Sequence, residues 1–287
     1  MLMALAAPSR RVDAHQHFWR YTDAEFGWIN DAMAVIRRDF LPSDLKPLLD
    51  ESGIHATVAV QARQSLEETE WLLGLAAESS WIEGVVGWVP LVDSDVETTI
   101  ERLSSNKRLR GVRHVLQAEP DAFMERDDFN AGLKILSTYG LTYDLLVLEH
   151  QLPAAIALVD RHPSQSIVLD HLAKPRIASH AIEPWRRNIR ELARRPHVCC
   201  KLSGMVTEAD FSAWTADNLL PYVETALETF GPARLMFGSD WPVCTVASMY
   251  PRWVNTVQRF IGTLSASEQQ QIMGGTSRAF YKLSSTD

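Results

Sequence analysis

Residues 166–173 read SIVLDHLA: Ile167, Val168 and Leu169 make a short apolar run, and Asp170 and His171 close it. A brief run of this kind, bounded by polar residues, fits a strand buried on both faces of a parallel sheet. The same pattern recurs at residues 10–17 (RRVDAHQH), 55–62 (HATVAVQA), 84–91 (GVVGWVPL), 109–116 (LRGVRHVL), 141–148 (LTYDLLVL), 198–204 (VCCKLSG) and 235–242 (LMFGSDWP). Eight runs with helical segments between them predict an α/β fold of eight βα units, a (β/α)8 TIM barrel. The 287 residues suit a single barrel domain over 1–287, with 1–9 expected as a disordered start.

Helix starts are marked where a serine precedes a glutamate by three positions: Ser65 and Glu68, Ser94 and Glu97, Ser265 and Glu268. After Ser65, Trp71, Leu72 and Leu75 form an apolar stripe, with Glu67, Glu68 and Glu70 as its polar positions. Residues 18–47 have no clean period. Loops of that length are usually functional, and Trp19, Tyr21, Phe26 and Trp28 would either wall a pocket at the barrel mouth or pack as an irregular segment.

The 28 Lys and Arg against 36 Asp and Glu give a net charge of -8, which disfavours nucleic acid and leaves a small molecule as the expected partner. No apolar run approaches the roughly 20 residues of a membrane span. Cys199, Cys200 and Cys244 are odd in number, and neighbours on a strand face opposite ways, so no disulfide framework is expected and a cytoplasmic location fits. The opening MLMALAAPSR lacks the basic start of a secretory signal.

Barrel enzymes carry their reacting groups where strands end. His15 and His17 share one face of the first strand and can converge on a metal or a substrate oxygen, although such a pair alone is more often structural. The sixth run ends in His171 and, beyond it, Lys174. The eighth ends in Asp240, which barrel closure brings beside His15 and His17, where a carboxylate can deprotonate water. Its bland reading is a helix cap before Pro242. Gly238 and Ser239 leave room for close approach of backbone or ligand.

The motifs DAHQHFW, LDHLAKP, KLSG at 201–204 and FGSDWPV, with GGTSRAFYKL near the C-terminus, together resemble the amidohydrolase superfamily, in its lactonase-type branch. The resemblance spans residues 12–283 and implies hydrolysis of a sugar 1,5-lactone, L-fucono-1,5-lactone and related aldonolactones among the substrates. It assigns His15, His17, His171 and Asp240 to the core site. The fourth strand ends in Arg113 and His114, without the Lys or Glu that bridges two metals, and the fifth offers Asp144 in place of a ligand histidine. At most one divalent ion is then expected. Zinc on His15, His17 and Asp240 is the candidate, not required for opening an activated lactone.

Substrate contacts are expected from Trp28, Gln61, Trp88, Arg113, His114, Asp144, Lys174 and Trp241, with Trp88 and Trp241 equally readable as packed aromatics. Lys201 and Arg113 would either pair with acids inside the mouth or touch substrate. Asp240 is the expected general base, with the histidines and Lys174 stabilising the oxyanion. Two rivals stand. Related barrels decarboxylate aromatic acids through one metal, but those typically carry a further metal-binding Glu near the N-terminus, and here Gln16 separates the histidines. A non-catalytic sugar-binding barrel would need no base.

Overall fold

The computed structural model describes residues 10–283, so the expected disordered start at 1–9 lies outside the described residues. The strands are β1 (Val12–Gln16), β2 (Ala56–Val60), β3 (Ile82–Gly87), β4 (Leu109–His114), β5 (Thr142–Leu145), β6 (Ile167–Leu169), β7 (Val198–Leu202) and β8 (Leu235–Phe237). They pair in parallel in sequence order. A bridge between Gln16 and Trp241 brings the ends of the sheet together, with the His17 amide donating to the Trp241 carbonyl at 2.6 Å and the Asp240 amide to the His15 carbonyl at 2.8 Å. The fold is a (β/α)8 TIM barrel.

All eight apolar runs form strands, though shorter than the runs themselves. The third begins at Ile82, ahead of the expected start, and the sixth stops at Leu169, after which residues Asp170–Ala173 form a tight turn. The helices include α1 (Pro42–Ser52), α2 (Leu66–Glu78), α3 (Val96–Ser104), α4 (Asp127–Thr138), α5 (Leu152–Arg161), α6 (Trp185–Leu192), α7 (Ala216–Phe230), α8 (Tyr250–Phe260), α9 (Ala266–Gln270) and α10 (Thr276–Phe280). Among the described residues no helix is long and apolar enough to cross a membrane.

Two of the three expected serine caps form. The Ser65 and Ser265 side chains accept from the amides of Glu68 and Glu268, and at α9 Glu268 returns the bond to the Ser265 amide at 2.9 Å. At α3 the cap position falls on Asp95, not Ser94, and no side-chain cap bond forms. Glu68 also departs from the expected polar face of α2. It is buried, because its Oε2 accepts from the amides of Ala62 (2.9 Å) and Arg63 (2.7 Å) and so satisfies the loop that follows β2.

Inside the barrel, Val12, Ala14, Val58, Val60, Val86, Val168 and Met236 pack against Tyr281 and Leu283 to form an apolar floor. The remaining core lies mostly between strands and helices. The Tyr281 hydroxyl donates to Asp144 Oδ2 at 2.8 Å, tying the floor to a layer of buried charges. Above that layer the 18–47 segment crosses the mouth. Trp19 is buried, its backbone pairing with Phe40 in an antiparallel bridge and its ring edge-on to Phe40 at 5.5 Å and tilted against Phe26 at 5.5 Å. The last part of the segment is helical, since α1 starts at Pro42, where a missing N–H is harmless.

Candidate active site

At the end of β1 the register shifts between Asp13 and Gln16. Asp13 Oδ1 accepts from the amides of Ser239 (2.8 Å) and His15 (3.1 Å), and its Oδ2 takes the Tyr250 hydroxyl at 3.1 Å, latching β1 to β8 and α8. Burial pushes this carboxyl up to about 6, against the pull of those bonds. Gln16 Nε2 donates to Thr57 Oγ1 at 3.2 Å, on β2. His15 and His17, by contrast, bring their Nε2 atoms within 3.2 Å of each other.

His17 is oriented by its Nδ1, 2.7 Å from the Val60 carbonyl. Its Nε2 lies 3.3 Å from Asp240 Oδ1; His15 Nε2 and His171 Nε2 lie 3.8 Å and 3.9 Å from the same oxygen. Three imidazoles and one carboxylate thus meet at the mouth, all nearly excluded from solvent.

Local backbone geometry sets the two later residues. His171, Leu172, Ala173 and Lys174 all have φ between 50° and 59°, a left-handed run that costs about 1–2 kcal/mol per non-glycine residue and that surrounding contacts must offset. Trp185 Nε1 donates to the Leu172 carbonyl at 2.6 Å, and Ser203 Oγ meets His171 Nδ1 at 2.8 Å. Gly204, at φ +62°, lies against the imidazole: a Cβ there would sit 2.5 Å from His171 Nδ1. Asp240 is itself left-handed at φ 58°. At Gly238 a Cβ would come within 2.8 Å of the His15 Cβ, so the room read at that glycine is taken by His15.

Burial pushes His171 down to about 4, with Asp240 and Asp170 opposing, and holds His15 well below the usual imidazole range. For Asp240 burial acts upward, but the His171 charge, the His17 hydrogen bond and the other imidazoles outweigh it and hold the carboxyl below its usual range. At neutral pH Asp240 is an ionised acceptor facing His15 and His171 as neutral imidazoles.

Beneath them lies the charged layer. Lys201 Nζ contacts Asp144 Oδ2 (2.5 Å), Asp170 Oδ1 (2.9 Å) and His15 Nδ1 (3.1 Å). Arg113 Nη1 reaches Asp170 Oδ2 at 3.1 Å and His15 Nε2 at 3.4 Å, while its Nη2 donates to the Gln61 carbonyl. Of the two readings open for Lys201 and Arg113, pairing with acids describes their surroundings. Burial raises Asp144 to about 6 despite Lys201, whereas Lys201, His15 and Arg113 together overcome burial at Asp170 and keep it ionised. Asp170 and Ser203 were absent from the sequence-derived site. The signal for Asp170 was its place beside His171 at a strand end.

The other expected contacts are spread unevenly. Gln61 donates to the Arg113 carbonyl at 3.3 Å and leaves Oε1 buried without a hydrogen-bond partner among the described residues, as is Trp88 Nε1 just after β3. Lys174 lies 3.9 Å from Glu208, a residue the sequence reading missed, whose carboxyl burial raises. His114 is not brought to the histidines: it stacks on Phe123 at 4.9 Å, meets Phe129 of α4 edge-on at 5.8 Å and pairs with Glu119 at 3.1 Å. Trp241 is 2 % exposed, packed on Phe18 and Phe40 at 6.0 Å and 5.2 Å. Trp28 is 44 % exposed, edge-on to Trp19 at 6.0 Å.

The donor set suits a single divalent ion. Zinc ligands at about 2.0–2.2 Å in a tetrahedron stand roughly 3.3–3.6 Å from one another, and His15 Nε2, His17 Nε2, Asp240 Oδ1 and His171 Nε2 are separated by 3.2–3.9 Å where they face each other. His15, His171 and Asp240 also form a compact cluster of potential ligands. A second such cluster, His15, Asp144 and Asp170, surrounds the Lys201 ammonium, which already supplies a cation there.

A parallel eight-stranded barrel carrying a His-x-His pair at the end of β1 and an aspartate after β8 defines an amidohydrolase-type protein, and the amidohydrolase family model matches residues 12–283. The chain belongs to that family. It is 44% identical over 285 residues to an L-fucono-1,5-lactonase of Burkholderia multivorans, covering 95% of this chain and 96% of the relative. An L-fucono-1,5-lactonase of Burkholderia ambifaria is 37% identical over 284 residues, covering 95% and 96%. The crystal structure of a Burkholderia multivorans amidohydrolase with bound zinc superposes with a TM-score of 0.92 at 43% identity, covering 96% of this chain and all of that one.

Proposed function

We propose that this protein hydrolyses a sugar 1,5-lactone, L-fucono-1,5-lactone or a related aldonolactone, to the open-chain aldonate. The observation that carries the reading is the convergence of His15, His17 and His171 on the ionised Asp240 carboxylate in a secluded mouth. The two full-length lactonase relatives support the substrate class.

Asp240 takes a proton from water as the water oxygen attacks the lactone carbonyl. His171, with Nδ1 accepting from the Ser203 hydroxyl, directs an Nε2–H into the mouth and stabilises the tetrahedral oxyanion. Lys174 adds positive charge from the same turn. Collapse breaks the bond to the ring oxygen, and the protonated Asp240 returns its proton to that alkoxide, so the carboxylate is regenerated. A zinc ion held by His15, His17 and Asp240 would supply Lewis-acid polarisation of the carbonyl, and we take it as an aid, not a requirement.

The unpaired Gln61 Oε1 and Trp88 Nε1 offer one acceptor and one donor, the mixture a sugar hydroxyl needs. Arg113 is engaged by Asp170 and the Gln61 carbonyl and so is poorly placed to receive a dicarboxylate. A decarboxylase reading gains nothing from Gln16, whose side chain bonds Thr57 away from the histidines. A cytoplasmic location accords with the unpaired Cys199, Cys200 and Cys244. The test is acid release, followed with a pH indicator, from a panel of aldonolactones and 2-pyrone-4,6-dicarboxylate, with and without chelator. Turnover confined to the pyrone would overturn the assignment.

A further inference from the structure

The N-terminal face of the barrel, opposite the mouth, carries a cavity of about 180 Å³ where the loop after α3, the start of β4, the turn after α4 and the end of α10 meet. Lys107, Arg110 and Lys282 line it, Phe280 and Tyr281 form apolar walls, and no Asp or Glu faces it. The chain as a whole has a net charge of -8, so this cluster of cations does not follow from composition.

The cations are short of partners. Arg110 Nε is buried without a hydrogen bond, and among the described residues no carboxylate lies within ion-pair distance of Lys107, Arg110 or Lys282. Lys282 Nζ donates to the Gly140 carbonyl at 3.3 Å. Glu83, which acts on Arg110 from farther off, is already held by Arg278 at 3.0 Å and Arg10 at 3.3 Å. Burial, with the charge of Arg108 added, pushes the Arg110 guanidinium down, yet a guanidinium stays protonated. An unpaired buried N–H is costly and like charges around one cavity repel, so a single anion between them would relieve both.

Size and charge select the anion. Sites for drug-sized ligands measure about 300–1,000 Å³, so this cavity admits one small group. Several converging cations favour a dianion over a carboxylate, and a phosphoryl group carries about -1.5 to -2 charges at pH 7 on strong acceptor oxygens. A larger cavity, about 420 Å³, has Arg252 and Arg259 on its wall, but both are exposed and Arg252 lies over the Trp214 ring at 4.1 Å.

We propose that Lys107, Arg110 and Lys282 form a binding site for a phosphoryl group, that of inorganic phosphate or of a small phosphate ester, on the barrel face opposite the candidate active site. Arg110 offers a planar donor edge, and the two lysines add point charges. A bound anion ties the connection between α3 and β4 to the segment after α10 and thereby stabilises the barrel floor. None of the three residues has a part in the proposed reaction, so the inference stands or falls apart from the lactonase reading.

The test is thermal unfolding and calorimetric titration at fixed ionic strength with inorganic phosphate and with glycerol phosphate, chloride serving as reference. Wild type is expected to unfold at a temperature that rises with the logarithm of ligand concentration. The tighter of the two ligands identifies the source of the group. Arg110→Gln is expected to weaken binding at least about tenfold. Lys107→Gln, at an exposed position, is expected to weaken it severalfold and decides the matter if Arg110→Gln does not fold; where Arg110→Gln folds, its result governs. Arg252→Gln is expected to bind as wild type does. Unchanged affinity in the deciding variant places the anion elsewhere and overturns the proposal, as does loss of binding in Arg252→Gln or a wild type that phosphate and its ester stabilise no more than chloride.

Discussion

Asp240 Oδ1 and His17 Nε2 face each other at 3.3 Å across the seam where β8 returns to β1, and the same seam carries the 2.6 Å bond from the His17 amide to the Trp241 carbonyl. The closure that completes the barrel therefore also brings together the proposed base and its first imidazole. His17→Asn, which withdraws the ring from Asp240 while leaving the backbone seam in place, is expected to lower kcat about 100-fold with little loss of stability. Steady-state kinetics beside a denaturant midpoint would check it. An unchanged kcat would remove His17 from the reaction.

Gly204 is required by two independent facts, its φ of +62° and the 2.5 Å that a Cβ would leave to His171 Nδ1. Gly204→Ala should cost about 1–2 kcal/mol from the left-handed backbone alone and displace the imidazole as well. A lowered denaturation midpoint accompanied by a kcat loss greater than any change in KM is the expected outcome. A stable, fully active variant would show that the His171 position is not set from this side.

His171 is pushed from 6.5 down to about 4, chiefly by burial. The unfolded chain binds a proton on this residue below 6.5 where the folded protein declines it. The stability contribution is thus complete above 6.5 and lost as pH falls toward 4, with a magnitude of about 3 kcal/mol. Urea midpoints from pH 4 to 7 should rise with pH more steeply in wild type than in His171→Gln. Activity should share the acid limb near pH 4, since the protonated ring repels Lys174 and draws on Asp240. Parallel stability curves would contradict the assignment.

Metal-free protein, verified by elemental analysis, should keep substantial lactonase activity. The buried ammonium of Lys201 and the guanidinium of Arg113 already supply positive charge beneath the histidines, and a lactone needs less activation than an amide. Activity that vanishes on chelation and returns in proportion to added zinc would show that the ion is required.

The eight strands were legible because each is a short apolar run ending in polar residues, and the Asp240–histidine meeting followed from closing them into a ring. The opposite faces of Arg113 and His114 were not read, both being expected at the substrate, although the two-residue period of β4 implies them: adjacent side chains on a strand point opposite ways, and only Arg113 turns toward the charged layer. The burial of Trp241 was not, because Phe40 reaches it from a segment without a period. Nor was the pairing of Asp170 with Lys201 and Arg113. Strand-end residues look alike in sequence, and which of them pair is decided by side chains crossing the barrel from β4, β6 and β7.

The central claim is that Asp240 activates the water that opens a sugar lactone. The direct measurement is kcat/KM for L-fucono-1,5-lactone with Asp240→Asn against wild type, both metal-free and matched in near-ultraviolet circular dichroism. The amide keeps the shape and a hydrogen-bonding oxygen but cannot take the proton, so a fall of about 100- to 10,000-fold is expected. A folded Asp240→Asn protein that opens the lactone at the wild-type rate would contradict the account.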